Sequence, residues 1–490
     1  MVNRSLVVIA TTTRDRDAKG RRTDVWLGVL SILIPLLIYG ATLNGRVASD
    51  YTSGILGTQF AFWRDRSFSL GPPGSLITDT VDKGAYKGLY YSAISPGIAI
   101  LTYPLAAIGF RLDGDEFNPF GYALLLDEAA IALAGALGIF FTYKICRLHA
   151  PPLPSFLAGL CLAFGTTVWP FATVLFPHVV AMFLSTVAVY LVLRNCKEGP
   201  QSISILLAGW CLGLSTFAEY VAVFMALPLL VYLLRAGGRR YAYAFGAGML
   251  VGPLFHLFFN FVAFRNLLVF PESLKPHESA GILGRFDITG LPGHLVAYLV
   301  SPYRGLLLVS PVIALGIYGL FRMIRNEAMR RDGSLFLGLF LAVVIPYSMW
   351  WDWSGGVGYG PRFLILGLPY LAVPISITIS EPRTQMTTSI FILLFMASSV
   401  IQSAGAFWGP FSSGGVWSYE PAAQTTKIFG GTVTAWWILR VPGSDPLVSK
   451  IFAVVVVASL WAIAIVGGTW VAKRRDSDMR DEGGREMTGG

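Results

Sequence analysis

Apolar runs of membrane-crossing length recur from one end of this chain to the other. They lie near residues 25–43, 119–143, 154–175, 177–193, 201–217, 218–234, 241–263, 303–321, 334–350, 361–380, 387–406 and 451–471. Each approaches the roughly 20 residues that a helix needs to span the hydrocarbon. Only 13% of the 490 residues are charged, against about 25% in soluble domains. The chain therefore lacks the polar surface that several water-soluble domains would expose. The pattern predicts an all-α polytopic membrane protein. Four scattered cysteines, Cys146, Cys161, Cys196 and Cys211, show no ligand spacing and argue against a disulfide scaffold or a zinc site.

One more apolar stretch, YSAISPGIAILTYPLAAIGF at 91–110, decides the topology. If it does not cross, 23 of the 37 Lys and Arg residues fall in the N-terminal arm, the C-terminal tail and the short loops on one side of the membrane. Short cytoplasmic loops collect such residues. If it crosses, those clusters face outward. The charge bias therefore predicts about 12 transmembrane helices with both termini cytoplasmic, and 91–110 as a juxtamembrane or re-entrant element. Pro96 and Pro104 suit that role, since each removes a backbone donor. The basic arm before residue 25 reads as the lead into an uncleaved first span.

The same map divides the chain into a cytoplasmic basic arm (1–24), a membrane core (25–380) with a long extracytoplasmic loop (44–118), C-terminal spans (381–472) with a second loop (407–450), and a polar cytoplasmic tail (473–490). The short inside loops suit a bacterial plasma membrane. No internal repeat points to inverted transporter halves.

Candidate chemistry gathers on the outer side. Asp50 follows the first span in GRVASDYTSG, where a carboxylate either accepts a proton or orients a hydroxyl, or simply ends a span. The loop beyond it mixes acids, bases and aromatics, among them Lys83, Lys87 and Tyr91. Such a mixture suits a sugar and a phosphate, and equally an interfacial aromatic belt with solvated charges. His178 and Glu219 sit just inside spans, where a polar group needs a partner; each serves packing or a substrate. Asp127 and Glu128 raise the same question within the second span and are read as helix pairing. SPYRGLLLVSPV places Arg304 at the outer mouth of a span. WWDWSGGVGYGPRF places Asp352, Tyr359 and Arg362 in another outer connection. Arginine clamps phosphate in a bidentate way, and glycines admit a ligand close to the backbone. Two arginines on one face favour an anion site over a snorkelling pair.

Other motif classes are missing. There is no Walker GxxxxGK[ST], HExxH or GxSxG sequence. The basic residues track inside loops and form no nucleic-acid stripe, so no nucleic acid is expected as a partner.

An acid soon after the first span, a long outer loop with a proline-bearing juxtamembrane stretch, ISPG, NPF, WPFATVLFPH, SPYRGLLLVSP and WSGGVGYGPRF together resemble bacterial GT-C membrane glycosyltransferases. These include the dolichyl-phosphate-mannose protein mannosyltransferase-like group and the aminoarabinose and arabinofuranosyl transferases. The resemblance spans most of residues 25–380. It implies a GT-C fold and inverting transfer of a sugar from a polyprenyl-phosphate donor to a glycan, lipid or protein acceptor outside the membrane. By that resemblance Asp50 is the catalytic acid of the first loop, and Arg362, Arg304, Lys83 and Lys87 meet the lipid phosphate. His178, Glu219, Tyr359, Asp352 and Tyr91 support sugar or acceptor. Many relatives carry an adjacent acidic pair where this chain reads Ser49–Asp50–Tyr51, so a divalent metal is optional and no metal ligand is assigned. The rival functions are a lipid or polysaccharide transporter and a non-catalytic membrane assembly protein.

Overall fold

The computed structural model describes residues 3–114, 116–119, 121–199, 201–275, 286–301, 304–356, 358–380, 385–411 and 446–487. Most of the 407–450 loop and Arg383 therefore lie outside the described residues. Among those described, eight helices are long and apolar enough to cross a membrane, and the protein is an integral membrane protein. Five further apolar helices of 10–17 residues lie between them.

The chain opens with α1 (Asn3–Ala41), which enters the bundle edge. α2 (Asp50–Asp65) follows, and Ser49 caps it by accepting from the Thr52 amide at 3.2 Å. A three-stranded antiparallel sheet comes next: β1 (Ser69–Gly71), β2 (Lys83–Tyr86) and β3 (Leu89–Ser92), in the order β1-β3-β2. This sheet departs from the all-α expectation. Its cause is local. Lys87 and Gly88 both have positive φ, 50° and 82°, which suits the two-residue turn of a tightly twisted hairpin. α3 (Gly97–Leu112) carries Pro104 inside and is only 16 residues long. At 1.5 Å per residue it measures roughly 24 Å, short of the ~30 Å hydrocarbon.

α4 (Tyr122–Cys146) starts the central bundle. The apolar run 154–175 is not one helix: α5 (Pro152–Phe164) stops at Gly165, and a single turn, α6 (Val168–Phe171), precedes α7 (Pro177–Glu198). Pro170 and Pro177 cannot continue a straight helix through this region. α8 (Ser202–Ala218) ends where Glu219 turns extended, with φ −148° and ψ 112°. The chain then re-enters through a 3₁₀ turn (Tyr220–Met225) into α9 (Ala226–Ala236). α10 (Arg239–Met249) and α11 (Val251–Phe264) form one apolar stretch against α8. That packing needs bare backbone: a Cβ on Gly209 would lie 2.0 Å from the Phe245 carbonyl oxygen, and one on Gly248 2.1 Å from that of Leu206. A 3₁₀ turn (Pro271–Leu274) follows α11. It packs on β2 so closely that a Cβ on Gly84 would lie 2.3 Å from Leu274 Cβ.

α12 (Leu291–Val300) is short. The run 303–321 is also broken, into α13 (Leu306–Val309) and α14 (Ile313–Arg325), around Pro311. α15 (Arg330–Met349) leads to the WWDW connection. A 3₁₀ turn (Arg362–Gly367) then runs into α16 (Leu368–Ser380), and α17 (Gln385–Trp408) and α18 (Pro446–Met487) complete the chain. The span Arg362–Ser380 is the most enclosed of the eight, 83% buried over its apolar window against 22% for the first span. Arg362 therefore heads a rigid central element.

Candidate active site

The connections after α1, α6, α8, α11 and α15 meet around one cavity of about 550 Å³. Asp50, His178, Glu219, Asp352 and Arg362, five residues singled out from sequence, all line it.

Asp50 is the first residue of α2, where the helix dipole and free amides favour a carboxylate. Its Oδ1 accepts from the Val81 amide at 3.1 Å, and its carbonyl accepts from Thr80 Oγ1 at 2.8 Å. These bonds fix its backbone while the residue stays exposed. Beside it, Lys275 Nζ lies 2.6 Å from Asp82 Oδ1. This pair ties the segment before β2 to the turn after α11, and both residues line the cavity.

Glu219 sits at the break between α8 and the following 3₁₀ turn. Tyr347 donates its hydroxyl to Glu219 Oε1 at 2.8 Å, and His178 Nδ1 lies 3.0 Å from Glu219 Oε2. The Tyr347 ring stacks face to face on Phe363, with centroids 4.3 Å apart. Burial, with Glu219 and Glu272 nearby, pushes the Tyr51 phenol well above its ordinary pKa, so it faces the cavity as a neutral donor.

Arg362 lies under an aromatic roof. Its guanidinium carbon is 5.0 Å from the Phe176 ring centre, 5.3 Å from Phe363 and 5.4 Å from Phe411. Flat contact with aromatic rings suits arginine far better than lysine. Asp352 accepts from the Ser354 hydroxyl and the Gly356 amide, both at 3.2 Å.

Five other residues expected at the site are placed elsewhere. Arg304 is fully buried and gives its guanidinium to the carbonyls of Gly356, Gly358 and Gly360. Lys83 is bound to Asp79 and to the Thr80 carbonyl, and holds the Asp79 carboxyl below its usual range. Lys87 occupies the tip of the β2–β3 hairpin, over the Tyr86 ring. Tyr359 is buried and donates to the Ile401 carbonyl. Tyr91 packs against Phe264 in a small separate apolar cluster. None of the five is among the described residues lining the cavity.

A second cavity, about 1070 Å³, runs between α9 and α15 and shares Val223, Phe224 and Pro346 with the first. It is mostly apolar and ends among Arg235, Arg330 and Arg331. Among the described residues, no three His, Cys, Asp or Glu side chains gather to hold a metal ion. The cysteines are all free.

No protein-family model and no curated protein matches the sequence. Solved structures do match. ArnT from Cupriavidus metallidurans bound to undecaprenyl phosphate aligns with TM-score 0.51 at 14% identity, over 91% of this chain and 76% of that one. Its apo state gives 0.53 at 15%, over 91% and 75%. The apo oligosaccharyltransferase of Archaeoglobus fulgidus gives 0.50 at 12%, over 77% and 56%. The fold is GT-C. At 12–15% identity the likeness is one of architecture.

Lys275, Asp82, Glu272 and Tyr347 also line the cavity and were not among the site residues expected from sequence. A signal existed for the first three. Glu272 and Lys275 form a charged pair in the otherwise apolar LVFPESLKP, and Asp82 stands in the mixed-charge loop after Asp50. Tyr347, within a span, carried none.

Proposed function

We propose that the protein is an inverting, polyprenyl-phosphate-dependent glycosyltransferase. It moves a sugar from a polyprenyl-phosphate-linked donor to an extracytoplasmic glycan, lipid or protein acceptor. One observation carries the reading: Asp50 and Arg362 line the same cavity in a chain of GT-C fold. A fold neighbour described with undecaprenyl phosphate bound supports the donor class. The proposed setting is a bacterial plasma membrane, with 12 crossings, both termini cytoplasmic and the cavity extracytoplasmic. In this scheme the catalytic core spans 25–380.

The acceptor hydroxyl oxygen attacks the anomeric carbon, and the bond from that carbon to the phosphate oxygen breaks. One displacement inverts the centre. Asp50 accepts or aligns the hydroxyl proton. The leaving polyprenyl phosphate gains charge, which Arg362 and Lys275 offset. His178, Glu219 and Asp352 order the sugar or acceptor, and the lipid chain follows the groove between α9 and α15.

The test is transfer of labelled sugar from a panel of polyprenyl-phosphate sugars to membrane acceptors. Asp50→Asn is expected to lower transfer at least 100-fold, the scale of a lost general base, while leaving undecaprenyl phosphate binding in place. Wild-type transfer matched by Asp50→Asn rejects the assignment.

A further inference from the structure

Arg304 was expected to bind phosphate, yet it is a fully buried arginine whose guanidinium donates to backbone carbonyls. One Nη donates to the Gly358 carbonyl and to that of Gly360 at 3.0 Å; the other donates to Gly356. Three carbonyls from alternate residues thus converge on one planar fork. Turning them inward requires unusual backbone. Gly355, Gly356 and Gly360 have φ of 70°, 62° and 57°, a region that side-chain-bearing residues rarely adopt.

The same glycine loop also rests on Arg362. A Cβ on Gly355 would lie 3.0 Å from Arg362 Nε, and one on Gly358 2.7 Å from its Nη1. The glycine backbone is therefore a thin spacer between two guanidinium groups. Only Arg362 faces the cavity.

We propose that Arg304 is a positioning residue. It fixes the carbonyls of Gly356, Gly358 and Gly360, and through them sets where the Arg362 guanidinium stands in the cavity. This rests on the anion-binding role given to Arg362 above. Lysine cannot replace it, because a single ammonium lacks the fork that meets three carbonyls at once.

The test is a double-mutant cycle on the purified full chain in lipid nanodiscs, with undecaprenyl phosphate as the probe and thermal melting as the folding control. Arg362→Gln is expected to weaken binding on the order of tenfold or more, as for a lost charge-assisted bond. Arg304→Lys is expected to weaken it roughly 3- to 10-fold in the wild type, but by less than about twofold in the Arg362→Gln background. A merely structural role weakens both backgrounds equally, and that result overturns the proposal, as does unchanged binding in Arg304→Lys. Gly358→Ala displaces Arg362 while leaving Arg304 intact, and the same non-additive pattern is expected of it. It decides the matter should Arg304→Lys not fold. A second readout needs no lipid: modification of Arg362 by phenylglyoxal, followed by mass spectrometry, is expected to change several-fold in either variant. Should wild type not bind undecaprenyl phosphate, the donor assignment falls, and the phenylglyoxal rates alone decide the positioning role.

Discussion

Replacing Glu219 by alanine probes the joint on which the cavity wall turns. Glu219 is 16% exposed at its side chain and joins two partners, Tyr347 at 2.8 Å and His178 at 3.0 Å. Both partners are buried, Tyr347 to 8% exposure and His178 to 2%. Truncation strands the Tyr347 phenol hydroxyl away from water, while His178 Nδ1, close to Glu219 without a hydrogen bond to it, has none to lose. A stranded buried group costs about 1–3 kcal/mol, so Glu219→Ala is expected to lose about that much. Even the lower figure shifts the unfolding equilibrium roughly fivefold, at 1.4 kcal/mol per tenfold. Glu219→Gln keeps an acceptor for Tyr347 and should lose less. Tyr347→Phe keeps the stack on Phe363 and removes the stranded group, so its own cost should vanish in the Glu219→Ala background. Denaturant titration of the purified protein, followed by tryptophan fluorescence, reads all four variants. If Glu219→Ala unfolds with the wild type, or Tyr347→Phe adds its full cost to it, the two side chains are not coupled and the reasoning fails.

Other outcomes follow from the same geometry. Gly209→Ala should destabilise the bundle by about 1–3 kcal/mol, because its Cβ would meet the Phe245 carbonyl at 2.0 Å; thermal melting checks this. Asp287 accepts from Thr289 Oγ1 at 2.7 Å and from the Gly290 amide at 2.8 Å. These bonds hold its carboxyl below the ordinary range, so its contribution to the start of α12 is present above pH ~3.9 and is lost as pH falls through the lowered value. The protection factors of amides 290–294, taken relative to the intrinsic exchange rate at each pH, should fall on acidification in the wild type and lose that pH dependence in Asp287→Asn. In a chain freed of its native cysteines, Lys87→Cys should react with an impermeant thiol reagent from outside whole cells, and Arg235→Cys only after lysis. The reverse pattern rejects the proposed orientation.

The sequence made some parts of this molecule visible and hid others for physical reasons. Apolar length and flanking charge are strong, one-dimensional signals, and eight helices of membrane-crossing length stand among the described residues. The interruptions at Gly165, Glu219 and Pro311 were harder, because hydropathy does not register a change of backbone direction. At the site, the order along the chain placed Asp50, His178, Glu219, Asp352 and Arg362 at span ends, and those residues meet in one cavity. Arg304 stands off the cavity lining, its guanidinium given to three carbonyls, a partner set that no motif spells out. Lys83 and Lys87 stand off the cavity lining because one pairs with Asp79 just before β2 and the other sits at the hairpin tip. Lys275 was overlooked because its relevance depends on Asp82, 193 residues earlier.

That last separation has a consequence for how the protein is made. Asp82 and its strand emerge from the ribosome early, but the surfaces that complete them, Leu274 against Gly84 and Lys275 against Asp82, do not exist until 190 and 193 residues later. At translation rates of about 5–20 residues per second, the interval is roughly 10–40 s. During it the small sheet stands beside the membrane with one flank open, while several spans are still being inserted. The cavity is thus a late product of synthesis, and its closure reports that the bundle up to α11 has already assembled.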